Sequence, residues 1–140
     1  MGYQLHRKFY GRDQVKRETH YLNSKKSGLE ITWYKNGDIE SVTTWLNGKK
    51  HGLCQFFLCG VRLGNESYYV EGREEGIWRS YFDNKLRKEF TKSNGKLNGP
   101  YTSWYTNGQM ETQGHYSNGY RCGKWQKWRQ NGEIKSETFH

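Results

Sequence analysis

The chain is poor in the residues that usually build a protein core. Only 32% of its 140 residues are hydrophobic, and only one residue is proline. No apolar run approaches the roughly 18 residues of a membrane-spanning helix. Taken alone, this composition is typical of a disordered chain, because too little apolar surface is available to offset chain entropy.

Cysteine is scarce as well. The three cysteines, Cys54, Cys59 and Cys122, are an odd number and form no disulfide framework, which favours a reducing compartment. The N-terminal residues also lack the charged start and apolar stretch of a signal peptide. We therefore expect a soluble, intracellular protein, located in the cytoplasm, or in the virion if its source is viral.

The usual catalytic and ligand-binding patterns are missing. No Gly-x-Ser-x-Gly elbow occurs, and the string Gly119 to Trp125 has the wrong spacing for a phosphate-binding loop. His51, Cys54 and Cys59 are too few for structural zinc, and strand alternation separates the two cysteines. The sequence predicts no enzyme, no metal, no cofactor and no small-molecule substrate.

Aromatic residues and glycine are abundant instead. The chain has 11 Tyr, 6 Trp and 6 Phe, so we expect a core built from rings rather than from aliphatic side chains. Glycines recur at Gly28, Gly52, Gly76, Gly99 and Gly123, which are 24, 24, 23 and 24 residues apart. Spacing this regular indicates an internal repeat.

Each copy of the repeat carries the signals of a β-hairpin. Asn-Gly pairs between short alternating runs favour type I' turns, which need positive φ at both central residues. The copies are predicted at residues 28–51, 52–75, 76–98, 99–122 and 123–140, after a degenerate N-terminal copy at residues 1–27. The predicted fold is all-β: an elongated single-sheet meander of about six tandem 23–24-residue β-hairpin repeats.

Strand alternation assigns the aromatic residues to two faces. A two-residue turn would pair Tyr34 with Ile39, Leu58 with Leu63 and Tyr105 with Met110, on a core face shared with Trp78, Tyr101 and Trp125. The other face receives one ring per copy, an interaction stripe of Trp33, Phe57, Tyr81, Trp104 and Trp128. These rings either meet a partner or lie inside a curled sheet, and a bulge near the repeat glycine would move them into the core.

The formal charge of +9 suits anionic partners. The densest basic segment after the N-terminus is a predicted anion-binding patch of Arg79, Lys85, Arg87, Lys88, Lys92 and Lys96. A merely solvated, self-repelling surface is the alternative explanation of this charge.

The repeat resembles a known family. The pattern Gly-x-Trp/Tyr-x-x-Trp/Tyr-Tyr-x-Asn-Gly-x-Leu/Ile, then Tyr-x-Asn-Gly-x-x-x-Gly, resembles the MORN repeat (membrane occupation and recognition nexus). It is most similar to the variant found in YwqK-type bacterial antitoxin-like proteins and in large DNA viruses. The resemblance is closest over Gly28 to Gly52 and Gly76 to Phe139. It implies an elongated sheet of hairpins that serves as an interaction scaffold and supplies no catalytic residues.

We therefore predict a non-enzymatic scaffold for protein-protein interaction or self-association. A basic surface that binds anionic phospholipid membrane or nucleic acid is the first alternative. An antitoxin-like role in neutralising a partner is the second.

Overall fold

The computed structural model describes residues 2–140 and is all-β. Its strands are antiparallel and follow one another in chain order. The first six strands are β1 (Tyr3–Phe9), β2 (Val15–Leu22), β3 (Lys25–Trp33), β4 (Ile39–Leu46), β5 (Lys49–Leu58) and β6 (Arg62–Val70). The others are β7 (Arg73–Glu74), β8 (Gly76–Phe82), β9 (Lys85–Ser93), β10 (Lys96–Trp104), β11 (Met110–Ser117), β12 (Tyr120–Trp128) and β13 (Ile134–Phe139). The meander of β-hairpins is confirmed.

The contacts divide the chain into two compact units. Unit 1 is Met1–Arg73 and contains β1 to β6, and unit 2 is Glu74–His140 and contains β8 to β13. In each unit, every strand is antiparallel to its neighbours in sequence.

One class of turn is the predicted two-residue hairpin turn. Asn47 and Gly48 both have positive φ, at 49° and 82°, as a type I' turn requires. The pairs Glu71-Gly72, Asn94-Gly95 and Asn118-Gly119 repeat this geometry, and the prediction is confirmed for all four. Asp83 and Asn84 form a similar tight turn, with φ of 48° and 59°, which shortens the copy that spans 23 residues.

The other Asn-Gly pairs belong to a longer loop, and the two-residue turn predicted for them is wrong. The Tyr34 N–H donates to the Asp38 carbonyl at 2.9 Å, and the Gly37 N–H donates to the Tyr34 carbonyl at 3.0 Å. Only Gly37 has positive φ, while the Asn36 side chain accepts from the Asp38 N–H at 3.0 Å. The result is a three-residue loop, a type I turn closed by a left-handed glycine. The loops at Asn107-Gly108 and Asn131-Gly132 have the same bonds.

This loop corrects the predicted strand register. Ile39 lies opposite Trp33 and not opposite Tyr34, and Met110 lies opposite Trp104 and not opposite Tyr105. Leu63 likewise lies opposite Phe57 and not opposite Leu58. An extra residue follows each aliphatic residue and makes a β-bulge, so the strands return to their ordinary alternation.

Unit 2 has the predicted aromatic core face. Trp78 stacks on Phe90 and Phe90 on Tyr101, each with ring centroids 6.1 Å apart. Tyr101 then contacts Trp125 at 5.7 Å, and Tyr116 meets Trp125 edge to face at 5.0 Å. We call this side of the sheet the cluster face.

The cross-strand row that contains Trp78, Phe90 and Tyr101 in unit 2 has a polar counterpart in unit 1. This counterpart row holds Thr19, Glu30, Thr43, Cys54 and Ser67 on successive strands, and the equivalent positions in unit 2 hold rings or, in one strand, Gly114. Thr19, Cys54 and Ser67 are buried. The prediction of a ring-built core therefore holds in this row for unit 2 alone.

Burial is shallow for so aromatic a protein. Among residues 2–140, Cys54 and Trp125 are the only buried hydrophobic residues. A single sheet offers no second layer, so the remaining rings stay half-buried or exposed.

Replacing Gly114 tests the packing of the aromatic cluster. A β-carbon at Gly114 would overlap the Trp125 ring, whereas one at Gly11 would meet nothing within 4 Å. We expect G114A to lower the free energy of unfolding by about 2 to 3 kcal/mol through overpacking. G11A, the control, should melt like the wild type in urea. Equal midpoints for G114A and the wild type would contradict this packing.

Candidate interaction surface

The interaction stripe lies on the face opposite the aromatic cluster. In unit 2, Tyr101 and Ser103 point to the cluster face. Because side chains alternate along a strand, Thr102 and Trp104 point to the opposite face of the sheet. We call this side the stripe face. All five stripe residues are half-buried, each opposite an aliphatic residue of the next strand: Trp33 with Ile39, Phe57 with Leu63, Tyr81 with Leu86, Trp104 with Met110 and Trp128 with Ile134.

The backbone of the stripe residues is held by the preceding hairpin. The Tyr10 hydroxyl donates to the Trp33 carbonyl, and the Tyr34 hydroxyl to the Phe57 carbonyl, both at 2.7 Å. The Tyr105 hydroxyl donates to the Trp128 carbonyl at 2.8 Å. Each bond joins residues 23 positions apart, so one copy orients the stripe residue of the next.

Arg87 fills the same role where the tyrosine is missing. Phe82 stands at the repeat position of Tyr105 and has no hydroxyl to donate. In its place, the Arg87 Nε donates to the Trp104 carbonyl at 2.7 Å. Arg87 is the extra residue of the β-bulge between Leu86 and Lys88. This arginine, which we grouped with the anion-binding patch, is therefore engaged in holding the backbone.

Removing one tyrosine hydroxyl tests this bonding pattern. Y105F deletes the donor to the Trp128 carbonyl and leaves the ring, so we expect a loss of about 1 kcal/mol in unfolding free energy. Y120F is the matched control, because the Tyr120 side chain is 79% exposed. Equal denaturant midpoints for Y105F and Y120F would show that the hydrogen bond adds no stability.

Two shallow grooves border the stripe. In unit 1, a groove of about 360 Å³ lies beside Trp33 and is lined by Arg7 and Glu18. In unit 2, a groove of about 470 Å³ lies beside Tyr81 and Arg87. Both are open surface features.

Charges on the stripe face occur as pairs of opposite sign. Arg7 and Glu18 are 2.8 Å apart in unit 1. In unit 2, Arg79 contacts Glu89 at 2.7 Å and Lys124 contacts Glu137 at 3.1 Å. Hydrogen bonds from Gln126 and Lys124 hold the pKa of the Glu137 carboxyl below its ordinary value. The stripe face is therefore close to electrically balanced where these pairs lie.

Cations on the cluster face lie over aromatic rings. In unit 1, the Lys26 ammonium is 4.4 Å from the Trp45 ring centroid and the Lys50 ammonium is 5.0 Å from that of Tyr69. In unit 2, Lys92 lies 4.5 Å above Trp78, and the Arg121 guanidinium lies 4.2 Å above Trp125. Ring quadrupoles attract these cations and keep them on this face.

Glu30 is a half-buried carboxylate on the cluster face of unit 1. Burial raises its pKa, but hydrogen bonds from Lys26 and Thr19, both 2.8 Å long, outweigh burial and hold the pKa below its ordinary value. The folded state therefore prefers the ionised carboxylate, whose stabilisation is present above the unfolded pKa and is lost as pH falls through the folded pKa.

The pH dependence of stability tests the state of Glu30. At neutral pH we expect E30Q to be less stable than the wild type, and the gap should narrow as pH falls from about 6 to about 3. T19V keeps the carboxylate but removes one donor, so its stability should lie between the two at neutral pH. A wild-type to E30Q difference that does not change with pH would contradict an ionised, hydrogen-bonded Glu30.

The structure separates the six residues of the predicted anion-binding patch. Arg79 lies on the stripe face with Glu89, while Lys88 and Lys92 lie on the cluster face. Lys92 also forms an ion pair with Glu74. Lys85 and Lys96 are exposed next to turns. The six residues lie close together in sequence, but the sheet distributes them over both faces, so they do not form one surface.

Other kinds of site find little support in residues 2–140. No group of three or more His, Cys, Asp or Glu side chains in this range could hold a metal ion. Within the same residues, no helix has the length and hydropathy needed to cross a bilayer.

Comparison with known proteins supports the repeat class. The model of the MORN repeat variant family matches residues 97–118, which run from β10 to the turn after β11. This match supports a MORN-type repeat protein. No curated protein matches the chain.

Two features of the surface were missed in the sequence. The carbonyl-binding tyrosines were visible as a tyrosine after each stripe ring, but we assigned Tyr34 and Tyr105 to the core face. The distribution of cations between the two faces is not visible in the net charge, because side chains alternate between the faces along each strand.

Proposed function

We propose that this chain is a non-catalytic binding scaffold and that the stripe face docks a second copy of the same chain. The observation that carries the proposal is the exposure of large hydrophobic side chains on the stripe face. Exposed large hydrophobic side chains on the stripe face include Leu5, Leu29 and Tyr68 in unit 1, at 43%, 44% and 39%. Exposed apolar side chains on one face of a sheet are typical of interaction sites.

Charge balance favours a second copy as the occupant. Arg7 with Glu18 and Arg79 with Glu89 give the stripe face both signs in adjacent positions. Two such faces can approach without net repulsion, and each cation can meet a carboxylate of the other copy. The basic cluster face would repel its own copy. MORN repeats are generally associated with protein or membrane interaction, which is compatible with this role.

The backbone of the stripe suits a docking role. Tyr10, Tyr34, Tyr105 and Arg87 hold four of the five stripe carbonyls, so those positions are set before a partner arrives. Pre-ordered side chains and backbone reduce the entropy cost of association. Assignment to the antitoxin-like or viral subtype of the family stays a prediction.

Replacing stripe rings tests the proposal. W33S with F57S removes two stripe rings of unit 1, and L29R places a charge on the same face at an exposed position. We expect light-scattering mass to rise with concentration for the wild type and to stay at the monomer value for both variants. F56S with L58S is the control, because these exposed neighbours lie on the opposite face and should leave association unchanged.

Two outcomes would contradict the proposal. One is a wild type that stays monomeric at all concentrations. The other is a folded L29R variant that associates like the wild type, since a charge in the interface must weaken docking.

A further inference from the structure

The cations of unit 2 are sorted by face. Lys88, Lys92, Arg121 and Lys127 all point to the cluster face, because they lie opposite Ser103, Leu97, Tyr116 and Thr112 in register with the stacked rings. On the stripe face, Arg79 and Lys124 each have a carboxylate partner. Four cations of unit 2 therefore lie with its aromatic cluster.

Few carboxylates reach this face. Glu74 pairs with Lys92, and Glu111 accepts a hydrogen bond from Ser103 at 3.2 Å. Lys88, Arg121 and Lys127 are exposed. Four cations against two carboxylates leave this face positively charged, and a low-dielectric aromatic floor strengthens its attraction for anions.

The four cations surround the rings. Lys88 and Lys92 flank Phe90 along β9, while Arg121 and Lys127 flank Trp125 along β12. One cross-strand row runs through Lys88, Ser103, Thr112 and Lys127. Three strand spacings separate the two lysines in this row, which places them about 14 Å apart. Residues i and i+4 of an extended peptide span roughly the same distance, about 13 Å.

We propose that the cluster face of unit 2 binds an extended acidic protein segment, with carboxylates at i and i+4 and an apolar side chain between them. The carboxylates meet Lys88 and Lys127, while the apolar residue lies above Ser103 and Thr112, beside the half-buried ring of Tyr101 on the same face. This surface goes beyond the self-association of the stripe face and does not depend on it.

Ring geometry favours protein over single-stranded nucleic acid. Base stacking needs open ring faces. Lys92 and Arg121 cover Trp78 and Trp125, and Trp125 is only 2% exposed. The surface thus offers cations and ring edges, which match carboxylates and aliphatic side chains better than nucleobases.

A peptide titration with the full chain tests the proposal. The probe is the fluorescein-labelled peptide Glu-Ser-Leu-Ser-Glu-Ser-Leu-Ser-Glu, and fluorescence polarisation is recorded at about 50 and about 200 mM salt. We expect binding that weakens with salt and is absent when Gln replaces each Glu. K88E with K127E should weaken binding at least about tenfold, because both ends of the site then repel the probe.

The matched control keeps the same change in net charge on the other face. Lys96 and Lys124 are exposed stripe-face residues of unit 2, so K96E with K124E should bind the probe within about twofold of the wild type. Thermal melting checks that each variant folds. If K88E with K127E fails to fold, K88A with K127A takes its place and should still weaken binding clearly more than K96A with K124A.

Three results would overturn the proposal. The first is a wild type that does not bind the probe at low salt. The second is equal weakening by both charge-reversed pairs, which would reduce the effect to net charge. Tighter binding to a short oligothymidylate, or to equimolar phosphatidylserine and phosphatidylcholine vesicles, would assign the face to nucleic acid or lipid. Because the peptide assay uses monomeric chain at low concentration, its failure leaves the stripe-face test unaffected.

Discussion

The strand register controls every other property of this protein. The connections are of two main kinds: a tight turn with two left-handed residues, and a three-residue loop that a left-handed glycine closes at Gly37, Gly108 and Gly132. The second kind makes Trp33, and not Tyr34, the partner of Ile39, and the bulge that follows restores the alternation. A shift of one residue would send each side chain of a strand to the other face. The faces of the sheet therefore depend on the turns.

A single layer limits how much stability the chain can obtain from burial. With Trp125 as the one buried aromatic residue in the described range, the hydrophobic contribution per residue is small. Hydrogen bonds between copies add to it, and the tyrosine hydroxyls that bind carbonyls 23 residues away are the most regular of these. Stability in such arrays comes from neighbouring copies, which explains why Arg87 compensates where Phe82 replaces tyrosine.

The two faces differ in charge more than in aromatic content. On the stripe face, Arg7, Arg79 and Lys124 are paired with carboxylates, whereas on the cluster face of unit 2 Lys88 and Lys127 are exposed and Arg121 lies over a ring. The same aromatic repeat can thus serve two kinds of association, one with a balanced surface and one with an acidic surface. Unit 1 has Thr43, Cys54 and Ser67 in the corresponding cross-strand row, so the row of stacked rings is confined to unit 2.

The sequence by itself determined the repeat, the strand count to within one or two, and the separation of Trp104 from Tyr101 onto opposite faces, since these follow from periodicity and alternation. It also located the tight turns, because few residues tolerate two positive φ angles in succession. It did not determine the loop type at Asn36-Gly37, since an Asn-Gly pair suits both connections and the choice depends on whether the Asn36 side chain accepts the Asp38 N–H. Only the tertiary structure decided which strands placed Lys88 and Lys127 around one aromatic cluster, because residues distant in sequence become neighbours through cross-strand pairing.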